Sequence, residues 1–354
     1  MMRIDYKTGK QAIYGGLLLG GGGGGSLEGG LEVLEKTIAL GGFDLCDIDD
    51  FCDDDIVVTS SLVGSPASKN KYVSDEHYDR VYELLQTNLN QKLAGVITNE
   101  MGAQAVTNGW IVAAKHNLPF IDAPCNGRAH PTGEMGSIGL SNKKDYITIQ
   151  TAAGGKFERN ISLAVSGTIS SASKVVTAAS IEAGGFVTVL RNPVDIGYVR
   201  KNAAIGAVEK TIEIGKVILE QHAENTYGML KELNKICSIE QVAEGIIEHF
   251  KLNTEEGLDL GVVRIKSDEK IFEISIYNEY ITLEEKEGKR IATFPDLISL
   301  IDKKSGLPVI SAELQVGMEV IICINLREHM ILGSSMYDNN AITNVEKVIG
   351  KKLR

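Results

Sequence analysis

The sequence predicts an α/β fold: a three-layer α/β/α domain on a mostly parallel sheet, then a smaller antiparallel β-barrel-like domain. Two observations carry that prediction. Short apolar strands alternate with amphipathic helical segments through the first half, which implies parallel pairing. From Gly261 to Leu326 the texture changes to closely spaced β-branched runs separated by charged or glycine-containing turns. A chain of 354 residues is long enough for two such cores. The expected division is 1–250 for the α/β domain, 251–328 for the β domain, and 329–354 as a segment returning to the first domain.

Taken in order, the apolar run 13–19 leads into six consecutive glycines, 20–25, and then a helix-like segment from Ser26 to Leu34. Ile56-Val57-Val58-Thr59 reads as a strand, followed by a loop through Gly64-Ser65-Pro66. Residues 77–90 place Tyr78, Val81, Tyr82, Leu84, Leu85 and Leu89 at helical spacing. Ala94-Gly95-Val96-Ile97-Thr98 is a buried strand ending at Asn99-Glu100-Met101-Gly102, with a helix over 104–116 behind it. Pro119-Phe120-Ile121-Asp122 is the next strand. Residues 172–183 read as helix, and 199–249 mainly as helix with breaks at Asn225-Thr226 and Cys237-Ser238. The later strands are 262–265, 271–276, 280–283 and 320–324.

Bulk properties exclude several classes. A net charge of −11 without a basic block argues against nucleic acid or an anionic membrane as partner. No apolar run reaches the roughly 18 residues of a membrane span, and the N-terminus is not a secretory signal. Five scattered cysteines, none in C-x-x-C spacing, indicate neither a disulfide framework nor a structural zinc site, so a cytoplasmic setting is expected. The acidic run 47–55 lacks the glycine turn and terminal Glu of an EF-hand loop and reads as a solvated turn. No lysine follows the glycines, so they are not a P-loop, and six glycines satisfy G-x-G-x-x-G trivially.

What remains are three constellations. The amides of Gly21, Gly22, Gly23, Gly24 and Gly25 stand before a helix and suit an anion or an anionic ring; a flexible linker is the competing reading. Glu100 and Asp122 sit at the carboxyl ends of strands, where ligands collect in parallel sheets. Either can act as base, metal ligand or merely a helix-terminus acid. Between them in kind lies the irregular run 121–135, where Arg128 can hold a carboxylate or ring carbonyl. Cys125 and His130 are close enough in sequence for thiolate and imidazole to meet, though a lone Cys or His in a loop is often structural. Asp122, His130 and Glu134 are the candidates for a divalent metal, which spacing alone does not establish.

In order along the chain, these blocks resemble the S-methyl thiohydantoin desulfurase family. The matching stretches are the L-G-x-G-G-G-G loop at 19–25, the G-x-P turn at Gly64-Ser65-Pro66, and the E-x-G block Glu100-Met101-Gly102. They continue with Leu118-Pro119-Phe120-Ile121-Asp122-Ala123, Gly127-Arg128-Ala129 and Pro131, then Phe294-Pro295-Asp296-Leu297-Ile298 and Gly306-Leu307-Pro308-Val309. The chain departs from the signature at Pro124, where a second Asp is usual, at His130, where an aromatic is usual, and at Thr132, which replaces an acid. Cys125, His130 or Glu134 are the available substitutes.

The resemblance implies an α/β domain plus a β-barrel domain and a hydrolase acting on a small thiohydantoin- or hydantoin-like ring. Water would attack the sulfur-bearing carbon and a thiol would leave. The residues expected to serve are Glu100 or Asp122 as base, Arg128 as anchor, the glycine amides with Glu134 as binding groups, and Cys125 or His130 in support. The alternative is a non-catalytic small-anion or nucleotide-binding accessory protein, a partner of a hydantoinase-type enzyme. A homo-oligomer is compatible with either.

Overall fold

The computed structural model describes the chain apart from residues 65–67, 69, 256–257, 287 and 354, and only the backbone of residue 255. Two sheets organise it. Sheet A contains β1 (Met2–Ile4), β2 (Phe43–Cys46), β3 (Ile56–Gly64), β4 (Leu93–Thr98), β5 (Phe120–Ile121), β6 (Thr148–Gly154), β7 (Ile161–Gly167) and β8 (Phe186–Asp195). Their order is β1-β2-β5-β4-β3-β8-β6-β7. The block β2-β5-β4-β3 is parallel, as the alternation of strands and helices predicts. β6 shares its direction, whereas β1, β8 and β7 oppose it. Ser65 and Pro66 of the expected G-x-P turn lie outside the described residues.

The helices are α1 (Tyr6–Leu19), α2 (Leu27–Ala39), α3 (Asp75–Asn88), α4 (Trp110–His116), α5 (Ile169–Glu182), α6 (Ile196–Asn202), α7 (Ala207–Gln221) and α8 (Thr226–Cys237). Local chemistry sets several starts: Asp5, Ser26, Thr168 and Asn225 each accept a backbone N–H from the first turn. Val81 and Leu85 of α3 pack with Ala153 and Leu190, while Val176 of α5 packs with Ala152 and Val189. Neighbouring residues of a strand face opposite ways, so the two helices lie against opposite faces of β6 and β8. α1 and α7 cross where both carry glycine. A Cβ on Gly15 would fall 1.9 Å from the Thr211 carbonyl oxygen, and one on Gly215 would fall 1.7 Å from that of Gln11. That crossing fixes the α7 N-terminus beside the end of β5.

Sheet B is antiparallel throughout: β9 (Glu240–Glu255), β10 (Leu258–Ser267), β11 (Lys270–Tyr277), β12 (Glu279–Glu285), β13 (Arg290–Thr293), β14 (Leu297–Asp302) and β15 (Glu319–Asn325), in the order β13-β12-β11-β10-β9-β15-β14. β14 at one end also lies against β12 and β13 at the other, so the sheet curls into a half-barrel around Val263, Ile274, Leu283, Leu300 and Ile322. The helical reading of 199–249 holds to Cys237 and then fails. Val242, Ile246, Ile247 and Phe250 have spacing a helix would accept, but β10 and β15 pair with this stretch from both sides and hold it extended. Sheet B therefore begins at Glu240, inside the segment 1–250 expected to belong to the first domain. A last helix, α9 (Asn339–Ile349), packs Ala341, Ile342 and Val345 with Tyr277 and Phe294 of sheet B and with Met135 of the first unit. Among the described residues no helix is long and apolar enough to cross a membrane.

Candidate active site at the junction of the two units

The glycine run is a packing hub. α1 ends at Gly20, and the chain turns through Gly21, Gly22, Gly24 and Gly25 with positive φ before Ser26 caps α2. Gly22 lies under the Tyr280 ring, where a Cβ would sit 2.8 Å from three ring carbons. Gly24 touches Gly102 of the E-x-G block, with a virtual Cβ only 2.5 Å from the Gly102 Cα. The loop carbonyls are used from both sides: Gly24 O accepts Gln104 N and Ala105 N at 3.0 Å, Gly21 O accepts Tyr280 N, and Gly22 O accepts Ser311 N, each at 2.7 Å. A flexible linker makes no such contacts. Two amides of the expected cradle are already spent, because Gly21 N donates to Leu18 O and Gly23 N to Gly20 O.

Glu100, at the end of β4, faces the run 121–135. Its Oε2 accepts the His130 backbone N–H at 3.0 Å, and the His130 ring Nε2 lies 3.3 Å from the same oxygen without hydrogen-bond alignment. Burial pushes the Glu100 carboxyl up to about 7, against the pull of that amide and of Arg191 and Arg128. Burial and the nearby Arg191 charge drive the His130 imidazole down to about 3, so it is neutral at physiological pH.

Arg128 is wholly buried. Its Nε donates to Ala129 O at 3.0 Å and its Nη1 to the carbonyls of Pro295 and Asp296, while Phe294 lies 4.9 Å beneath the guanidinium. Two carbonyls of the P-D-L-I segment thus hold this arginine, and Asp296 is held in turn by Arg327 through Nε at 2.7 Å. Arg128 Nη2 has no protein partner and points toward Gly21, whose Cβ would fall 2.9 Å away. Burial draws Arg128 down to about 10, which leaves it charged at neutral pH.

Two further residues belong to this cluster and carry no local sequence signature. Arg191 sits mid-strand in β8, between Thr59 of β3 and Gln150 of β6, and its Nε is buried without a partner. Its Nη2 and the His130 ring meet over Gly136, a virtual Cβ there lying 3.3 and 3.2 Å from them. Glu279 comes from the other unit, at the start of β12. Its carboxyl presses on Gly23, its Oε2 has no partner, and burial with the nearby Glu100 charge holds it well above the usual carboxylate range. For Arg191 the available signal was a cation directly after the apolar run 186–190; Glu279, the first of three glutamates in its strand, offered none.

The other expected residues lie elsewhere. Both oxygens of Asp122 accept α7 amides, Val208 N at 2.8 Å and Glu209 N at 3.0 Å, so this side chain is a helix cap supplied from a distant strand. Burial pushes Asp122 up to about 6. Cys125 is buried with Thr59 Oγ1 3.4 Å from its sulfur, and burial pushes the thiol up to about 11, which is wrong for a nucleophile. Glu134 is half-buried and accepts Asn344 Nδ2 of α9 at 3.4 Å. Asp122, His130 and Glu134 have separate partners, and among the described residues no three His, Cys, Asp or Glu side chains gather as a metal site.

An α/β unit and a curled antiparallel sheet that together bury two carboxyls and two arginines define a two-unit protein with a polar site at the junction. The chain belongs to the S-Me-THD-like family: the model of its N-terminal domain matches residues 10–160 and that of its C-terminal domain residues 168–331. The structure is similar to a crystal structure of a protein from Chromobacterium violaceum, with a TM-score of 0.73 and 15% identity. That match covers 99% of this chain and 97% of the other, and it shows a shared fold. No curated protein matches the sequence.

Proposed function

We propose that this protein is a hydrolase that removes a thiol from a small S-alkylated thiohydantoin ring, leaving a hydantoin. The observation that carries the reading is the Glu100 carboxyl, its side chain 14% exposed, poised near neutrality, and flanked by Arg128 and Arg191 in a chain of the S-Me-THD-like family. Above its pKa, Glu100 takes a proton from water, and the oxygen bonds to the sulfur-bearing ring carbon. The new oxygen remains a hydroxyl, while the electron pair of the ring carbon–nitrogen double bond moves onto the nitrogen, which carries the negative charge. The unpartnered Nη2 of Arg128 and Nε of Arg191 supply donors for it in a site shielded from solvent. Of the glycine amides, those of Gly22, Gly24 and Gly25 donate to no acceptor among the described residues and remain available to an anion. The His130 amide orients the base, and the neutral ring beside it adds no competing charge. When the adduct collapses, the carbon–sulfur bond breaks and the thiol departs.

The test is product analysis in ¹⁸O-labelled water with S-methyl thiohydantoin. Methanethiol release with one labelled oxygen in the hydantoin supports the reading; unlabelled product or no thiol overturns it. A second reading rests on the same unpartnered arginine donors, which also suit a protein that only holds a small anion. Stabilisation by sulfate without any turnover would favour it.

A further inference from the structure

The turn that carries Glu279 is built with unusual care. Asn278 takes a left-handed conformation, φ +59°, and exchanges hydrogen bonds with Asp259: its N–H donates to Asp259 O at 2.8 Å and its Oδ1 accepts Asp259 N at 2.9 Å. Ser311 Oγ donates to Asn278 O at 3.1 Å, and Tyr280 N donates to the glycine loop at Gly21 O. These bonds fix the backbone on both sides of Glu279. It is buried, with Oε1 against Gly23, where even a methyl group would fall 2.3 Å away, and with Oε2 unpartnered. A buried carboxyl without a partner is costly unless a ligand completes it. Its electrostatic neighbours are Glu100, Arg128 and Asp259. The same site therefore holds two carboxyls, one from each unit, in unequal surroundings, which is how an enzyme separates a base from an acid.

We infer that Glu279 is the proton donor to the leaving sulfur, a second catalytic carboxyl delivered by sheet B to the site that Glu100 serves as base. This rests on the hydrolase reading above. As the adduct collapses, the oxygen lone pair re-forms the carbonyl, the carbon–sulfur electron pair moves to sulfur, and the Glu279 proton bonds to that sulfur. The proton that Glu100 took from water passes to the ring nitrogen. The proton lost by the adduct hydroxyl returns to Glu279, so the cycle closes with one water consumed and one thiol released.

The experiment compares two substrates, the S-methyl ring and an S-aryl ring whose thiolate is a weak base and leaves without a proton. Glu279→Gln should slow methanethiol release by about 100-fold or more, yet leave aryl thiol release within about threefold of wild type. Glu100→Gln should slow both. Glu279→Asp, which keeps an acid, should recover part of the loss on the methyl substrate. Equal effects of Glu279→Gln on the two substrates, or no effect on either, would overturn the assignment while leaving the hydrolase reading intact. Failure of wild type to release either thiol would overturn both. Should the Gln variant not fold, the wild-type rate across a series of S-substituents decides. It is nearly independent of thiol basicity if sulfur is protonated on departure, and falls steeply with it if not.

Discussion

His130 holds the Glu100 carboxyl through one oxygen, the backbone N–H donating at 3.0 Å and the ring nitrogen standing 3.3 Å from the same atom. The Asn99 side chain is a second polar neighbour of the same carboxyl. The main-chain donor is fixed by the fold, so the base keeps its orientation whatever the ring does.

That geometry makes turnover pH-dependent. Glu100 works as a base only when ionised, so activity on the S-methyl ring should rise with pH through an apparent pKa of about 7 and fall again where Glu279 loses the proton it donates. Stability runs the other way. The folded pKa lies above the ordinary 4.5, so between those values the folded chain keeps a proton the unfolded chain has lost. Stability from this group is present below that window and declines as pH rises through it. Thermal melts should show Glu100→Gln stabilised relative to wild type at about pH 8 and little changed at about pH 4.

Acid should act through His130 in the opposite sense. Its folded pKa, about 3, lies below the ordinary 6.5, with Arg191 and Arg128 both disfavouring its charge. Above that window the neutral ring is equally content folded or unfolded; as pH falls through it, the unfolded chain takes up a proton the folded one refuses. His130→Gln should therefore lose less stability than wild type when melts are repeated from about pH 6.5 down to pH 4.

The glycine run is tested by a matched pair. Gly24 and Gly350 have nearly equal φ, +72° and +69°, but a Cβ on Gly24 meets the Gly102 Cα at 2.5 Å and one on Gly350 meets nothing within 4 Å. Gly350→Ala should cost only the left-handed backbone, about 1–2 kcal/mol in urea unfolding. Gly24→Ala adds overpacking of roughly 1–3 kcal/mol and should separate Glu100 from Arg128 as well, lowering turnover.

Asp122 and Cys125 should both prove dispensable for the chemistry. Asp122→Ala removes two amide acceptors from the start of α7 and should cost about 1–3 kcal/mol of stability, with turnover per folded molecule nearly unchanged. Iodoacetamide should label exposed Cys52 in the native protein and spare Cys125, without loss of activity.

Much of this was legible in the residues. The strand–helix alternation gives the parallel block, and Glu100 at the end of β4 follows from the apolar run that precedes it. Arg128 stood out as the cation of an irregular loop. What could not be read were partners distant in sequence. Asp122 looks like a strand-end acid because the amides it caps lie 86 and 87 residues on. The glycines look like an anion loop because the residues that press against them, Gly102 and the Glu279-Tyr280 pair, come from two segments far downstream. Residues 240–249 read as helix because the two strands that hold them extended lie downstream.

Single-turnover thiol release from S-methyl thiohydantoin shows whether Glu100 supplies the base. Wild type should release one thiol per site, and folded Glu100→Gln should do so at least about 100-fold more slowly at about pH 8. Equal rates for the two proteins would contradict the account.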